Sequence, residues 1–306
     1  MATFATLASS IFLEGLFFLI IGVFISAIIE LFVSPSMLEK IIPKNIFLSL
    51  IVASVSGLIF PFCECAIVPI THRLIKKGIP LHIAIVMLFS IPIVNLIVIF
   101  STYTAFTGHI FIPLLRISGG IIISLVLGCI IYKFYSKQNN ILVNKNMAYL
   151  NCSHEHNQNH HEEITHNSLK SKIFLILKYS VEEFFETGVF FLLGIFIASL
   201  FQSLLPRNIL VQLGRHNLLS NVFMEAFAYV LCVCSQTDAF IARTFFDQFT
   251  VGAVLSFMIF GAMMDIKTTV MLKKIFKTKF LLSLIVIVFM LNLIFGLIIN
   301  LIFTGF

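Results

Sequence analysis

The pattern Cys-x-Cys occurs twice in this chain, and it is the arrangement of residues best suited to chemistry. Cys63 and Cys65 flank Glu64 in the first half, and Cys232 and Cys234 flank a valine in the second half. With 6 cysteines in 306 residues, about 0.1 such pairs would be expected by chance. Two pairs, one in each half, therefore indicate a duplicated feature.

The residues around the first pair oppose a continuous helix. Residues i and i+2 of an α-helix point about 200° apart, whereas in an extended segment they point to the same side. Pro61 and Pro69 bracket the pair, and proline interrupts helical hydrogen bonding. We therefore expect an unwound or re-entrant segment in which the thiols of Cys63 and Cys65 face one cavity.

Thiols are soft ligands that suit Cu(I), Zn²⁺, Cd²⁺ or trivalent arsenic-like centres. Four thiols from two halves could line one site, and no cofactor is predicted beyond such a soft metal ion. Two alternatives stay open. The cysteines could be small apolar packing residues, or they could cycle between thiol and disulfide in a membrane redox protein.

Ionisable and amide side chains lie in the same apolar regions. Glu64, Asp238 and Asp265, with Glu225 nearer the start of a span, are candidate buried carboxylates. Such groups are costly in lipid and are expected in a bundle interior or a water-filled cavity. They could couple transport to a proton or cation, and Asp265 could equally form an interfacial ion pair with Lys267. Nearby basic residues that could balance the carboxylates are His72, Arg73 and Arg243.

The predicted substrate-binding set combines the two cysteine pairs with these polar residues. It comprises Cys63, Glu64, Cys65, Asn95, Cys232, Cys234, Gln236, Asp238 and Asp265.

The elements that position this set are membrane helices. Hydrophobic residues make up 59% of the chain and charged residues 11%, and apolar runs reach the roughly 20 residues that cross a bilayer. The runs are continuous rather than alternating, which opposes a β-barrel. The sequence predicts an all-α polytopic membrane protein with about 8 spans, or 8–10 if some helices are broken or re-entrant. The expected spans are 10–33, 46–70, 80–106, 110–135, 173–205, 218–242, 250–265 and 280–303.

The order of motifs indicates two repeated halves, 1–135 and 173–306. In each half a Cys-x-Cys pair is followed by an interruption, predicted at Pro92 or Gly261, and then by Asn95 or Asp265. Duplicated, interrupted helices are typical of transporters, because the breaks expose polar groups near the membrane midplane.

Residues 136–172 form a polar segment that we interpret as a solvated linker rather than a domain. Its short His-x-His and His-His spacings would also permit metal capture by a flexible chain. The candidate ligands are His154, His156, His160 and His161.

The string from Phe60 to Pro69, followed by Lys76-Lys77-Gly78, Pro92 and Asn95, resembles the predicted permeases that include the organoarsenical efflux permeases (ArsP-like). The second half matches through 232–240, Gly261 and Asp265. The resemblance implies a multi-pass protein of the bacterial cytoplasmic (inner) membrane with a duplicated core. It also suggests a small membrane partner subunit. Glu64 between the thiols differs from the small or polar residue expected in arsenical exporters.

Together these features predict a secondary-type permease, not an enzyme. Its partners would be the lipid bilayer and a small inorganic or organometal substrate, and the alternative is a non-transporting membrane subunit of a complex. The net charge of +6 does not indicate nucleic-acid binding, because the basic residues cluster beside apolar spans as topology signals do.

Overall fold

The computed structural model describes residues 2–32, 43, 45–59, 62–135, 141, 169–204, 217–246 and 248–303. These residues are helical or lie in short connections, and no β-strand occurs among them. The all-helical prediction is therefore confirmed.

Six α-helices of the described chain precede residue 141. They are α1 (Ala2–Phe32), α2 (Ile46–Val55), α3 (Glu64–Lys76), α4 (Leu81–Ser90), α5 (Leu96–Ala105) and α6 (Phe111–Tyr135), with a 3₁₀ turn at Ser56–Leu58.

Six more described helices follow residue 168. They are α7 (Leu169–Leu204), α8 (Asn217–Leu231), α9 (Asp238–Phe245), α10 (Val251–Met263), α11 (Ile266–Leu272) and α12 (Thr278–Phe303). The last four residues of the predicted linker thus belong to α7. The four candidate histidine ligands lie outside the described residues, and metal capture by them stays a prediction.

Several predicted spans are pairs of short helices. The expected span 46–70 contains α2 and the start of α3, 80–106 contains α4 and α5, and 218–242 contains α8 and the start of α9. Within the described chain, three segments are long and apolar enough to cross a bilayer: Phe111–Tyr135, Val251–Leu272 and Thr278–Phe303. The second of these is divided by non-helical backbone at Met264 and Asp265.

The two long helices α1 and α7 pack against each other, and they hold short helices on their flanks. Helix α1 also contacts α3, α7 also contacts α11, and α10 lies between α8 and α12. Large apolar side chains remain exposed on the outside of the bundle, among them Phe47, Phe111 and Leu301. An exposed apolar surface of this extent fits lipid, and together with the apolar helices it makes this an integral membrane protein.

Candidate functional site

The first cysteine pair lies where extended backbone enters a helix. Cys63 is extended (φ −84°, ψ 173°) and immediately precedes α3, whose first turn contains Glu64 and Cys65. All three side chains are buried. The extended segment therefore ends at Cys63, and the expected unwound stretch does not include Cys65.

Two helix breaks that were predicted at a proline and a glycine do not occur at those residues. Helix α3 continues through Pro69, because a proline removes one intrahelical hydrogen bond without ending a helix that is held on both sides by packing. Helix α10 continues through Gly261 and ends at Met263. Pro92 lies in the turn at 91–94 between α4 and α5, and Pro61 lies outside the described residues.

The second cysteine pair lies on a longer non-helical stretch. Residues 232–237 connect the end of α8 to the start of α9 without any helix. Cys232 adopts a left-handed conformation (φ 55°), which is uncommon for a residue other than glycine and marks a backbone held by its surroundings. The side chain of Gln236 is half-buried.

Asn95 and Asp265 each cap a short helix that follows an interruption. The Asn95 side-chain oxygen accepts a hydrogen bond from the backbone N–H of Ile97 (2.9 Å) at the start of α5. The Asp265 carboxylate accepts one from the backbone N–H of Thr268 (2.5 Å) at the start of α11. A side-chain oxygen in this position satisfies an otherwise free helix N–H, which matters most where water is scarce.

A buried lysine joins the first cysteine segment to the second half. Lys267 Nζ lies 3.2 Å from Glu64 Oε1 and 3.5 Å from Asp265 Oδ2. The Cys232 thiol in turn donates to Asp265 Oδ2 over 3.1 Å. Since Lys267 is only 2% exposed, its pair with Asp265 is a buried one rather than the interfacial pair considered from sequence.

A buried arginine makes a second connection between the halves. The Arg116 guanidinium on α6 donates to Asp238 Oδ2 (2.7 Å) and to the backbone oxygen of Ser235 (3.0 Å). It also donates to Thr102 Oγ1 of α5 (2.9 Å) and to the backbone oxygen of Met258 (3.3 Å).

Ser235 links the two ion pairs into one polar network. Its hydroxyl donates to Glu64 Oε2 over 3.5 Å, while its backbone oxygen accepts from Arg116. The network holds three carboxylates, Glu64, Asp238 and Asp265, against the two cations Arg116 and Lys267. With every group ionised its formal charge is −1, and all five charged residues are at most 3% exposed.

The five described cysteines, the two pairs and Cys129, are all free thiols. The four cysteines of the two Cys-x-Cys motifs are buried beside the network, whereas Cys129 is exposed. Within the described chain, no three His, Cys, Asp or Glu side chains are arranged to hold a metal ion. The described part of the network is therefore not a preformed metal centre.

Sequence reasoning missed Arg116 altogether and treated Lys267 as part of a juxtamembrane basic cluster. The partners proposed instead, His72, Arg73 and Arg243, do not form the ion pairs of this network. Arg116 carried a usable signal, because it is a charged residue inside an apolar run of the length of a membrane span. Lys267 carried a weaker one, as it stands two residues after a helix-capping Asp265.

Comparison with known proteins identifies the family. The predicted permease family matches residues 1–301. The UPF0718 protein YcgR of Bacillus subtilis is 37% identical over 277 residues, covering 90% of each chain. A protein of Streptococcus mutans, named as a candidate subunit of a two-component membrane permease complex, is 35% identical over 286 residues, covering 92% of this chain and 91% of its own. No solved structure matches. A membrane-embedded helical bundle with a buried polar network and a family match over nearly its whole length leads to one conclusion: this chain belongs to the predicted permease family.

Proposed function

We propose that this chain is a secondary-type transporter that moves a soft metal ion, a metalloid or another thiol-reactive small solute. The observation that carries the proposal is one buried network between the two halves that includes Cys232 and the residues beside the other paired cysteines, Glu64 and Ser235. Thiols bind soft centres, and the formal charge of −1 favours a cationic solute over an anionic one.

The proposal includes a duplicated architecture, with repeats at 1–135 and 173–306 joined by the polar segment 136–172. The order of helices supports the duplication. In α2 to α6 and again in α8 to α12, four short helices are followed by one long helix. The caps at Asn95 and Asp265 occupy equivalent places in that succession. Interrupted helices that meet across two repeats form the substrate site in many transporters.

We also propose a location in the bacterial cytoplasmic membrane and action with a second, small membrane subunit. The relatives come from two bacteria, and the name of the Streptococcus mutans relative describes a subunit of a two-component permease complex. Purification from native membranes should therefore retain a second protein. If the chain alone, in liposomes, transports as fast as the native preparation, the partner is not required.

A deletion strain tests the transport proposal. Its growth is compared in zinc, copper, cadmium, arsenite and methylarsenite, and cellular metal contents are measured. We expect one of these solutes to accumulate or to be depleted, and the wild-type gene to restore its normal content. A variant with Cys63, Cys65, Cys232 and Cys234 replaced by Ser should restore less than a tenth of that effect.

Cys129→Ser is the matched control, because Cys129 is exposed on α6 and lies apart from the two pairs. It should restore the solute content as well as the wild type does. Equal restoration by the fourfold variant, which must be shown to reach the membrane in equal amount, would rule out a thiol-lined site.

A further inference from the structure

Glu225 on α8 is a buried carboxylate that the polar network leaves out. It is 0% exposed, and neither of its carboxyl oxygens has a hydrogen-bond partner in the described part of the protein. An unpaired carboxylate inside a helical bundle is costly, and such groups in membrane proteins mark ion or proton sites.

Neutral polar side chains from three helices meet at Ser256, which lies beside this carboxyl group. Asn221 lies one turn before Glu225 on α8, so both side chains share a helix face. The Ser256 hydroxyl of α10 lies beside the Glu225 carboxyl, and its hydrogen bonds go to Asn221 Oδ1 (3.4 Å) and to the backbone oxygen of Asn292 on α12 (3.5 Å). Asn292 Nδ2 donates to the backbone oxygen of Ser256 (2.9 Å), while Asn292 Oδ1 has no hydrogen-bond partner among the described residues.

Glycine brings the three helices close together at this junction. A Cβ atom at Gly296 of α12 would lie 2.7 Å from Asn221 Oδ1, and it would also clash with the Ser256 hydroxyl. One turn away, the backbone N–H of Gly252 donates to Asn300 Oδ1 over 2.8 Å. Such close packing favours a small ion over an organic solute, which would need a pocket on the order of several hundred Å³.

No basic side chain among the described residues balances Glu225. Helix α10 has no charged residue, and Lys279, the one charged residue of α12, is exposed at that helix's start. On α7, the described charged side chains Lys178 and Glu182 are exposed. Tyr229, one turn after Glu225, donates instead to Thr269 Oγ1 of α11 (3.1 Å).

We infer that Glu225, with Asn221 and Ser256, binds a small monovalent cation, Na⁺ or H⁺. Carboxylate, amide and hydroxyl oxygens are hard ligands that suit such a cation, and its charge neutralises a carboxylate that nothing else in the junction neutralises. Polar contacts that only hold helices together explain the serine and the asparagines. They do not explain a buried carboxyl group without a charged partner.

Cation binding at this junction stands apart from the thiol site, and it needs no transported solute. Its further role, as the site of the ion that drives transport, rests on the proposed function. A measurement on the purified protein without any solute therefore tests cation binding separately from the transport proposal. Failure of the transport proposal leaves cation binding unchanged, and failure of cation binding leaves the thiol site unchanged.

The test uses the purified full-length protein in detergent. Binding of ²²Na⁺ is measured at pH 7.5, and the thermal unfolding midpoint is followed as Na⁺ replaces choline at constant ionic strength. In a second arm without Na⁺, the midpoint is followed between pH 5.5 and 8.5. For a Na⁺ site we expect saturable binding and a midpoint that rises with Na⁺. For an H⁺ site we expect no response to Na⁺ and a midpoint that rises as the pH falls.

Glu225→Gln should remove whichever response the wild type shows, with at least a tenfold loss of Na⁺ affinity or a flat pH profile. Glu182→Gln is the matched control, since Glu182 is exposed, and it should behave as the wild type. Ser256→Ala keeps the charge but removes one oxygen, and it should weaken Na⁺ binding at least threefold or shift the pH profile. If the wild type shows neither response, or if Glu225→Gln and Ser256→Ala both retain it, the inference is overturned.

Discussion

Arg116 shows how much a single side chain holds together in this protein. Its guanidinium contacts α5 through Thr102, α10 through Met258, and the second cysteine segment through Ser235 and Asp238. The planar, multi-donor head of arginine suits this divergent set of acceptors, which the point charge of a lysine would not satisfy. In a buried setting, the Asp238 carboxylate would otherwise be left without its charged donor.

Arg116→Ala should destabilise the protein by about 3–5 kcal/mol, because it leaves the Asp238 carboxylate buried without its partner. The measurement is the unfolding midpoint of the purified protein in detergent. Lys133→Ala is the control, as Lys133 is exposed on the same helix, and it should have little effect. The double variant Arg116→Met with Asp238→Asn should recover much of the loss, since both charges are then gone. An Arg116→Ala protein as stable as Lys133→Ala would contradict this account.

At the scale of helices, close packing decides where the ion pairs form. Helix α1 approaches α3 at Gly22, where a Cβ atom would lie 2.5 Å from Ala66 Cα. Helix α7 approaches α11 at Gly194, where a Cβ atom would lie 2.8 Å from Lys267 Cα. Small residues permit such contacts between membrane helices. These two approaches fix the backbones that carry the first cysteine segment and Lys267.

Gly194→Ala should push α11 away from α7 and cost about 1–3 kcal/mol, the range for an overpacked core. Gly188→Ala on the same helix is a close control, because a Cβ atom there meets nothing within 4 Å. It should be neutral or stabilising by up to about 1 kcal/mol, since alanine favours helix over glycine. Thermal unfolding of both variants checks the prediction. It fails if Gly194→Ala is as stable as Gly188→Ala.

At the scale of the whole molecule, the two halves complete each other. The Glu64–Lys267 and Arg116–Asp238 pairs both cross between them, and α1 packs on α7. Each of these ion pairs has one partner in each half. A separated half would therefore keep buried charged side chains without their partners, or expose them to solvent.

Residues 1–150 and 151–306, expressed as separate chains in one cell, should therefore assemble and purify together through a tag on either one. The cut falls in the polar segment, away from every described helix. Combining Glu64→Gln with Arg116→Met should reduce recovery of the untagged half several-fold, because both cross-half ion pairs are lost. Lys133→Ala in the same split protein should leave recovery unchanged. Halves that fold and purify independently would show that the network is not what joins them.

The sequence by itself determined the class of protein and several of its buried polar residues, but it located the helix interruptions only approximately, since helices continue through Pro69 and Gly261. The class of protein is a local property, because a run of apolar residues predicts a membrane helix. The sequence also indicated a polar residue after each interruption, but that Asn95 and Asp265 cap helices was visible only in the structure. The two charge partnerships were decided by the tertiary structure. Lys267 and Glu64 are 203 residues apart, and Arg116 and Asp238 are 122 apart. Because attraction between charges depends on their distance in space and on burial, the sequence around each residue did not reveal its partner.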